Sequence, residues 1–299
     1  MVEQRMNSVL EQASALEMQS AETLLACFFL ALLTLMWAEK KRPRVSPPGK
    51  LMKRSYLTNL ETFVFNDVTL SLMQIPALYL VAAAYSDRGL LSDMENGPVK
   101  FAIAFLLLDL VMYGWHVLSH HCDWLWIFHR VHHSDRSMNV TTALRYHPGE
   151  LVLEALLRAV FIIVVGVDTE TVLACQGVMS LFILFHHSNI GLPGERWLSL
   201  VFIVPGIHRL HHSVIRAEHD SNYGAVLSIW DRMFGSLRLT EPKALGLYGV
   251  DEDTFASILR DVLPVHRLLQ PGVAAFRHAV PLRIPVRRDS GTADRDPRG

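Results

Sequence analysis

The chain has 299 residues, enough for one large domain or two small ones with a core of their own. Hydrophobic residues make up 51% of it and charged residues 19%, a balance shifted from that of a soluble domain toward a protein that spends much of its length in lipid. The formal net charge is −1, which gives no sign of the basic surface that nucleic acid requires, so we expect no nucleic-acid partner.

Apolar runs predict an integral membrane protein with about four to five spanning helices, because a span of the bilayer core needs roughly 17 to 25 residues. In chain order the runs cover residues 23–38, 65–85, 101–118, 151–167 and 172–185. The last two are short and are separated by only a few polar residues, so they predict a hairpin. Glutamates precede the first run where a signal peptide would be basic, so we expect this run to remain as an anchor.

A basic loop directly after the first run predicts the orientation, because such loops stay in the cytoplasm. The loop carries Lys40, Lys41, Arg42, Arg44, Lys50, Lys53 and Arg54. Counting the spans onward from this loop brings the ends of the third and fifth runs back to the same side. The histidine-rich segments that follow those runs are therefore expected on the cytoplasmic face of a multi-pass protein.

Histidine is the main functional signal, since 13 of the 15 histidines lie between His116 and His219. Near the end of the third run, His116 and His120 are four residues apart and share one face of a helix. Two HxxHH motifs follow, and on a helix each brings three imidazoles within about one turn, two of which can ligate one ion while the third reaches a neighbour. The motif residues are His129, His132 and His133, then His208, His211 and His212.

This number of histidines predicts two metal ions. Eight imidazoles exceed the four ligands of a structural zinc site, and the sequence has no CxxC pair to complete one. Imidazole suits iron, copper and zinc, so the residues alone leave the metal open. The alternative is that the histidines cap helices or line a polar groove without binding a metal.

The order and spacing of these motifs resemble the fatty acid hydroxylase and sterol desaturase superfamily of membrane di-iron oxygenases. The resemblance extends from Asp109 to Ser236 and includes the three histidine motifs, the TTALRYHP segment that ends at Pro148, a His-Ser-Asn triplet that begins at His187, and the WDRMFG segment that ends at Gly235. It implies a helix bundle under a cytoplasmic cap, two iron ions held by the histidine motifs, and O2 as co-substrate.

The resemblance also implies a further ligand between the motifs, and His187 is the best match. His147 is a second candidate, either as a ligand or as a residue that supports one. His186 would point away from His187 on a helix and is expected to be structural or supporting. Asp109 and Glu150 are candidates to orient ligating imidazoles by accepting the distal N–H, although Asp109 could instead bond a neighbouring helix.

The sequence thus predicts an all-α membrane bundle with anchor helices over residues 1–100, a catalytic domain over 101–240 and a cytoplasmic tail over 241–299. Its expected function is hydroxylation or desaturation of a fatty-acyl or sterol-like lipid. No haem or nucleotide motif is present, so electrons would come from a partner such as a cytochrome b5-like or ferredoxin protein. The rival interpretation is a histidine-rich membrane metal-binding or transport protein without oxygenase activity.

Overall fold

The computed structural model of the protein describes residues 2–71, 75–247 and 254–255. These ranges contain α-helices and one short 3-10 helix, and no β-strand, which confirms the all-α class. The helices are α1 (Val2–Lys41), α2 (Gly49–Ser71), α3 (Ile75–Tyr85), α4 (Pro98–His121), α5 (Asp123–His133), the 3-10 helix (Val140–Leu144), α6 (Pro148–Val165), α7 (Thr169–His187), α8 (Glu195–Leu198), α9 (Pro205–His211), α10 (Arg216–His219) and α11 (Ile229–Phe234).

Three of the described helices are long and apolar enough to cross a membrane: residues Glu22–Lys41 of α1, and α4 and α7 over their full lengths. Only 11% of the most apolar window of the first segment is buried, and 28% of the windows in the other two. Apolar surface exposed over whole helices is unfavourable in water and natural in lipid. These segments correspond to the first, third and fifth predicted runs.

The other two predicted runs have a different local structure. The run at 65–85 is divided between α2 and α3, and residues 72–74 between them lie outside the described part of the chain. The run at 151–167 corresponds to α6, which carries Glu154 and Arg158 within its apolar sequence. Its exposed residues Val152, Leu156 and Val160 recur every four positions, so its outer face is apolar. Whether these two runs also span the membrane stays a prediction.

The three candidate spans end on the same side of the bundle. The Glu39 carboxylate, near the end of α1, accepts hydrogen bonds from the backbone N–H of Val140 at 2.7 Å and of Asn189 at 2.6 Å. The Arg44 N–H donates to the Asn189 carbonyl at 2.9 Å. The basic loop after α1 therefore lies beside the end of α7, on the side where the histidines collect, as the counting of spans predicted.

The largest apolar core lies where α3, α4, α6 and α7 meet, and it includes Leu108, Ile162 and Met179. At the end away from the histidines, α6 stops at Gly166, whose φ is +72°. A Cβ at that position would come within 2.1 Å of the Arg88 carbonyl oxygen, so only glycine allows the loop to approach so closely. The predicted division into three segments stays a prediction, and most of the proposed tail, residues 248–253 and 256–299, lies outside the described residues.

Candidate metal centre

Four helices end at the histidine cluster, and each brings histidines in its last turn. α4 ends at His121, α5 at His133, α7 at His187 and α9 at His211. The carbonyl end of a helix carries a partial negative charge, which favours a cation placed there. Carbonyl ends of four helices near the cluster therefore favour positive ions there although the imidazoles are neutral.

The nine histidines predicted as ligands separate into two groups, and within each group one ring nitrogen from every residue lies within 4.8 Å of the others. The five-histidine group consists of His116, His120, His129, His133 and His211. The four-histidine group consists of His132, His187, His208 and His212. The structure therefore brings together three sequence motifs and His187, which are separated by up to 96 residues, counted from His116 to His212.

Each HxxHH motif is shared between the two groups. The first motif gives His129 and His133 to the five-histidine group and His132 to the four-histidine group. The second motif gives His208 and His212 to the four-histidine group and His211 to the other. Residues four apart lie on one helix face and the middle residue points elsewhere, so one turn of helix serves two sites.

The spacing of the ring nitrogens fits ligands of a common ion. In the five-histidine group, the His116 and His129 Nε2 atoms are 3.1 Å apart, as are those of His120 and His133. In the four-histidine group, the His187 Nε2 atom lies 2.9 Å from that of His132 and 3.0 Å from that of His208. Two imidazoles at right angles on one ion, each about 2.1 Å from it, would have nitrogens about 3.0 Å apart.

Hydrogen bonds to the outer nitrogens leave the inner ones unprotonated. The Nδ1–H groups of His116, His187 and His211 donate to the carbonyls of Tyr223, Ile183 and Ser221 at 2.7–2.8 Å. A carbonyl oxygen only accepts, so the proton resides on Nδ1 and the Nε2 lone pair faces the group. Lone pairs held about 3 Å apart repel each other unless a cation lies between them. This arrangement therefore fits a bound metal.

Burial keeps the imidazoles outside the candidate spans neutral. It lowers the pKa of His129 to about 3, and it lowers the pKa values of His132, His133, His208, His211 and His212 well below their ordinary value. The physical cause is the cost of placing a charged ring away from water. Unprotonated nitrogen is what a metal requires, so the burial and the ligand function agree.

Carboxylates orient two of the rings. Glu150 Oε1 accepts from His129 Nδ1 at 2.6 Å, which is the role predicted for it. Asp220 Oδ1 accepts from His120 Nδ1 at 3.3 Å and also lies 3.6 Å from His219 Nε2. The single turn of α10 brings His219 and the next residue, Asp220, to the site, and no periodic pattern in the sequence marks Asp220.

Three other candidates lie outside the two groups of the described residues. Asp109 accepts hydrogen bonds from the Val226 N–H, the Leu227 N–H and the Trp230 indole, so it joins α4 to the chain around the start of α11. Its hydrogen bonds among the described residues go to none of the grouped imidazoles. His147 caps the start of α6 by accepting from the Gly149 N–H at 2.8 Å. The His186 ring packs 4.0 Å from that of His208, centre to centre, and supports the site from the side.

The segment after the second HxxHH motif holds the His116 ring in place. Asp231 accepts from the backbone N–H groups of Tyr223 and Gly224, each at 2.8 Å, and so fixes the Tyr223 carbonyl against His116. A Cβ on Gly224 would come within 2.7 Å of the Leu227 carbonyl oxygen, so glycine is required here. The motif resemblance included this segment, but its contact with the cluster appears only in three dimensions.

A cavity adjoins both groups and extends between α4, α6 and α7. Its wall combines imidazoles with apolar side chains, among them Met112, Trp115, Met179 and Ile183. An apolar wall beside imidazoles that could hold a metal can place a hydrocarbon close to that metal and keep water away.

The comparisons with known proteins agree with these features. Residues 101–236 match the family described as fatty acid hydroxylase, and this segment contains all nine grouped histidines. An ornithine lipid hydroxylase of Rhizobium tropici is 30% identical over 48% of this chain and 43% of its own length. Alkylglycerol monooxygenase of Homo sapiens is 25% identical over 75% of this chain and 48% of its own length.

Cholesterol 25-hydroxylase of Rattus norvegicus is 31% identical over 46% of this chain and 46% of its own length. The chain thus spans less than half the length of each of these three relatives. No solved structure matches it. Residues 101–236 thus match the fatty acid hydroxylase family, and the predicted resemblance of the motifs to the fatty acid hydroxylase and sterol desaturase superfamily is confirmed.

Proposed function

We propose that this protein is a membrane oxidoreductase that hydroxylates a lipid with O2, using two iron ions held by the five-histidine and four-histidine groups. The observation that carries the proposal is the convergence of nine histidines into two groups inside a fatty acid hydroxylase domain. Imidazole is a good ligand for iron, and the family match favours iron over copper and zinc. The names of the relatives support a lipid as the substrate.

The reaction joins R–H, O2, two electrons and two protons to give R–OH and water. Bound iron would supply the activation of O2 that an unactivated C–H bond requires. The chain's own residues hold the ligands in register, exclude water and admit the hydrocarbon. Glu150 and the carbonyls of Ile183, Ser221 and Tyr223 fix four of the rings, so ligand geometry is set before any metal binds.

We further propose that the site faces the cytoplasm and takes its electrons from a separate protein of the cytochrome b5 or ferredoxin type. The basic residues after α1 lie on the same side of the bundle as the histidines, and basic loops are retained in the cytoplasm. A soluble donor could reach the site from that side. Desaturation is the nearest alternative, because removal of a second hydrogen in place of hydroxyl transfer gives an alkene.

Growth under dioxygen labelled with the heavy oxygen isotope tests this proposal. Membrane lipids from cells with and without the gene are compared by mass spectrometry. Hydroxylation predicts a lipid that carries one labelled oxygen atom only when the intact gene is present, and the His133→Ala variant abolishes it. An exposed substitution, Arg196→Met, serves as the control and keeps the product. Loss of two hydrogens without labelled oxygen indicates a desaturase, and an unchanged lipid profile favours the transport or metal-binding alternative.

A further inference from the structure

Two cavities follow one another along the seam between α4, α6 and α7. The first is the cavity beside the histidines, and the second lies further from them. Each of these three helices has one residue in the wall of the second cavity and another, four positions away, in the wall of the first. Four positions correspond to about 6 Å along a helix axis. The pairs are Leu108 and Met112 on α4, Arg158 and Glu154 on α6, and Cys175 and Met179 on α7.

Arg158 lines the second cavity, one helical turn from Glu154, which lines the first. Its guanidinium donates hydrogen bonds to Glu154 on the same helix and to Gln176 on α7. The third guanidinium nitrogen, Nε, is buried, and its N–H has no hydrogen-bond partner among the described residues. Buried charged donors are nearly always satisfied, so an unpaired one calls for an explanation.

The surroundings of this group are apolar. The second cavity is lined mainly by side chains such as Ala104, Phe161 and Ile162, and the outer face of α6 exposes Val160 and other aliphatic residues. A charged residue in such a helix is costly and usually serves a function, with a partner that compensates for part of the cost. Glu154 compensates for the charge of Arg158, but it leaves the Nε–H group free.

We propose that Arg158 determines substrate specificity by donating its Nε–H to an uncharged oxygen acceptor, such as an ester or amide carbonyl, in a lipid that occupies the seam. This inference rests on the proposed function and specifies its substrate class. The Arg158 and Glu154 charges cancel, so a neutral acceptor completes the hydrogen bonding without adding charge. A carboxylate or phosphate would place a second negative charge beside Glu154 in an apolar setting.

The position of Arg158 also predicts which part of the lipid is oxidised. Eight residues of α6 separate it from Glu150, which bonds the His129 ring, and this corresponds to about 12 Å along the helix axis. An oxygen held by Arg158 would leave a carbon at roughly that distance beside the five-histidine group. The hydrogen bond therefore determines which carbon atom of the lipid lies beside the histidines.

Binding of two matched probes tests this inference. Hexadecyl acetate, which has an ester, and nonadecane, which has a similar length and no acceptor, are titrated separately into the purified full chain in detergent, and bound lipid is measured by native mass spectrometry. We expect the wild type to prefer the ester about tenfold, or about 1.4 kcal/mol. Both probes partition into the detergent in the same way for every variant, so a change in this preference reports on the protein.

The main variant is Glu154→Gln combined with Arg158→Met, which removes both charges and leaves no unpaired ion that could prevent folding. Its ester preference should fall to about twofold or less, while its affinity for nonadecane stays the same. Arg158→Lys, which keeps the charge and removes the Nε–H fork, should lose most of the preference as well. The exposed Arg196→Met substitution is the matched control and should keep it.

A double variant that still prefers the ester tenfold, or a wild type with no preference, would overturn the role of Arg158. The measurement needs neither iron nor O2, so its outcome is separate from that of the labelled-oxygen experiment. Labelled lipid without an ester preference refutes this inference alone. An ester preference without labelled lipid supports it and refutes the proposed reaction.

Discussion

At the scale of single residues, one hydrogen bond decides which nitrogen His116, His187 and His211 each present to the site. Where a backbone carbonyl accepts a hydrogen bond from Nδ1–H, Nε2 carries no proton, and its lone pair points into the histidine group. Glu150 does the same for His129 with a carboxylate, which also makes the ring a stronger donor to a metal. These rings are thus oriented by residues that belong to neither histidine group.

Glu150→Gln should weaken metal binding while the fold remains. The amide oxygen can still accept from His129, but it lacks the negative charge that supports the ring, so we expect an affinity loss of about 10- to 100-fold. Competition with a metal chelator measures the affinity, and the thermal midpoint reports on the fold. The exposed Glu170→Gln substitution on α7 is the control. Equal affinities for the wild type and Glu150→Gln would show that the carboxylate is not needed.

At the scale of the elements, a buried polar network connects α2, α5 and the 3-10 helix. Asp135 accepts hydrogen bonds from Ser55, Asn59 and Thr142 at 2.7–3.0 Å. Arg145 donates to the Val131 carbonyl at 3.1 Å and so caps the end of α5, directly beside the first HxxHH motif. Burial alone would raise the pKa of Asp135, but the charge of Arg145 and these hydrogen bonds lower it overall.

Asp135→Asn should therefore destabilise the protein by about 3 kcal/mol, because it removes the negative charge that stabilises the buried Arg145 charge. The thermal midpoint of the purified protein measures the effect. Asp93→Asn, a substitution of an exposed carboxylate outside the network, should leave the midpoint unchanged. A midpoint of Asp135→Asn within about one degree of the wild type would show that the network does not brace α5.

Short-range patterns predicted the all-α class and the histidines that come together in the two groups, because both depend on local spacing. The i, i+3, i+4 histidines predicted sharing between two ions, and hydropathy located the candidate spans. The hydrogen-bond partners of Asp109 could not be predicted in this way, since Val226 and Leu227 lie more than 100 residues away in the sequence. Glu39 was missed for the same reason: its acceptor role depends on the distant Asn189.

At the scale of the whole molecule, the cluster makes stability depend on pH. The unfolded chain takes up protons on histidine below about pH 6.5, whereas the folded chain does not, because burial lowers the pKa of His129 to about 3 and those of its neighbours as well. The unfolded state then binds more protons, so the free energy of unfolding falls as the pH falls.

We therefore expect the thermal midpoint of the chelator-treated protein to decrease steadily from about pH 7.5 to about pH 5.5. Each buried histidine contributes up to about 1.4 kcal/mol for each pH unit within this window. Replacing the grouped histidines His132 and His212 by Gln should make the decline shallower. A midpoint that rises toward acid pH would mean that these rings are charged in the folded protein.

Iron content per chain tests the central claim most directly, namely that the nine histidines form two separate metal sites. The protein is purified without oxygen and its iron is counted against its concentration, for the wild type and for one variant in each group. We predict about two irons for the wild type, and about one for His116→Ala and for His187→Ala, with His147→Ala unchanged as the control. One iron in the wild type, or full loading in both group variants, would contradict the account.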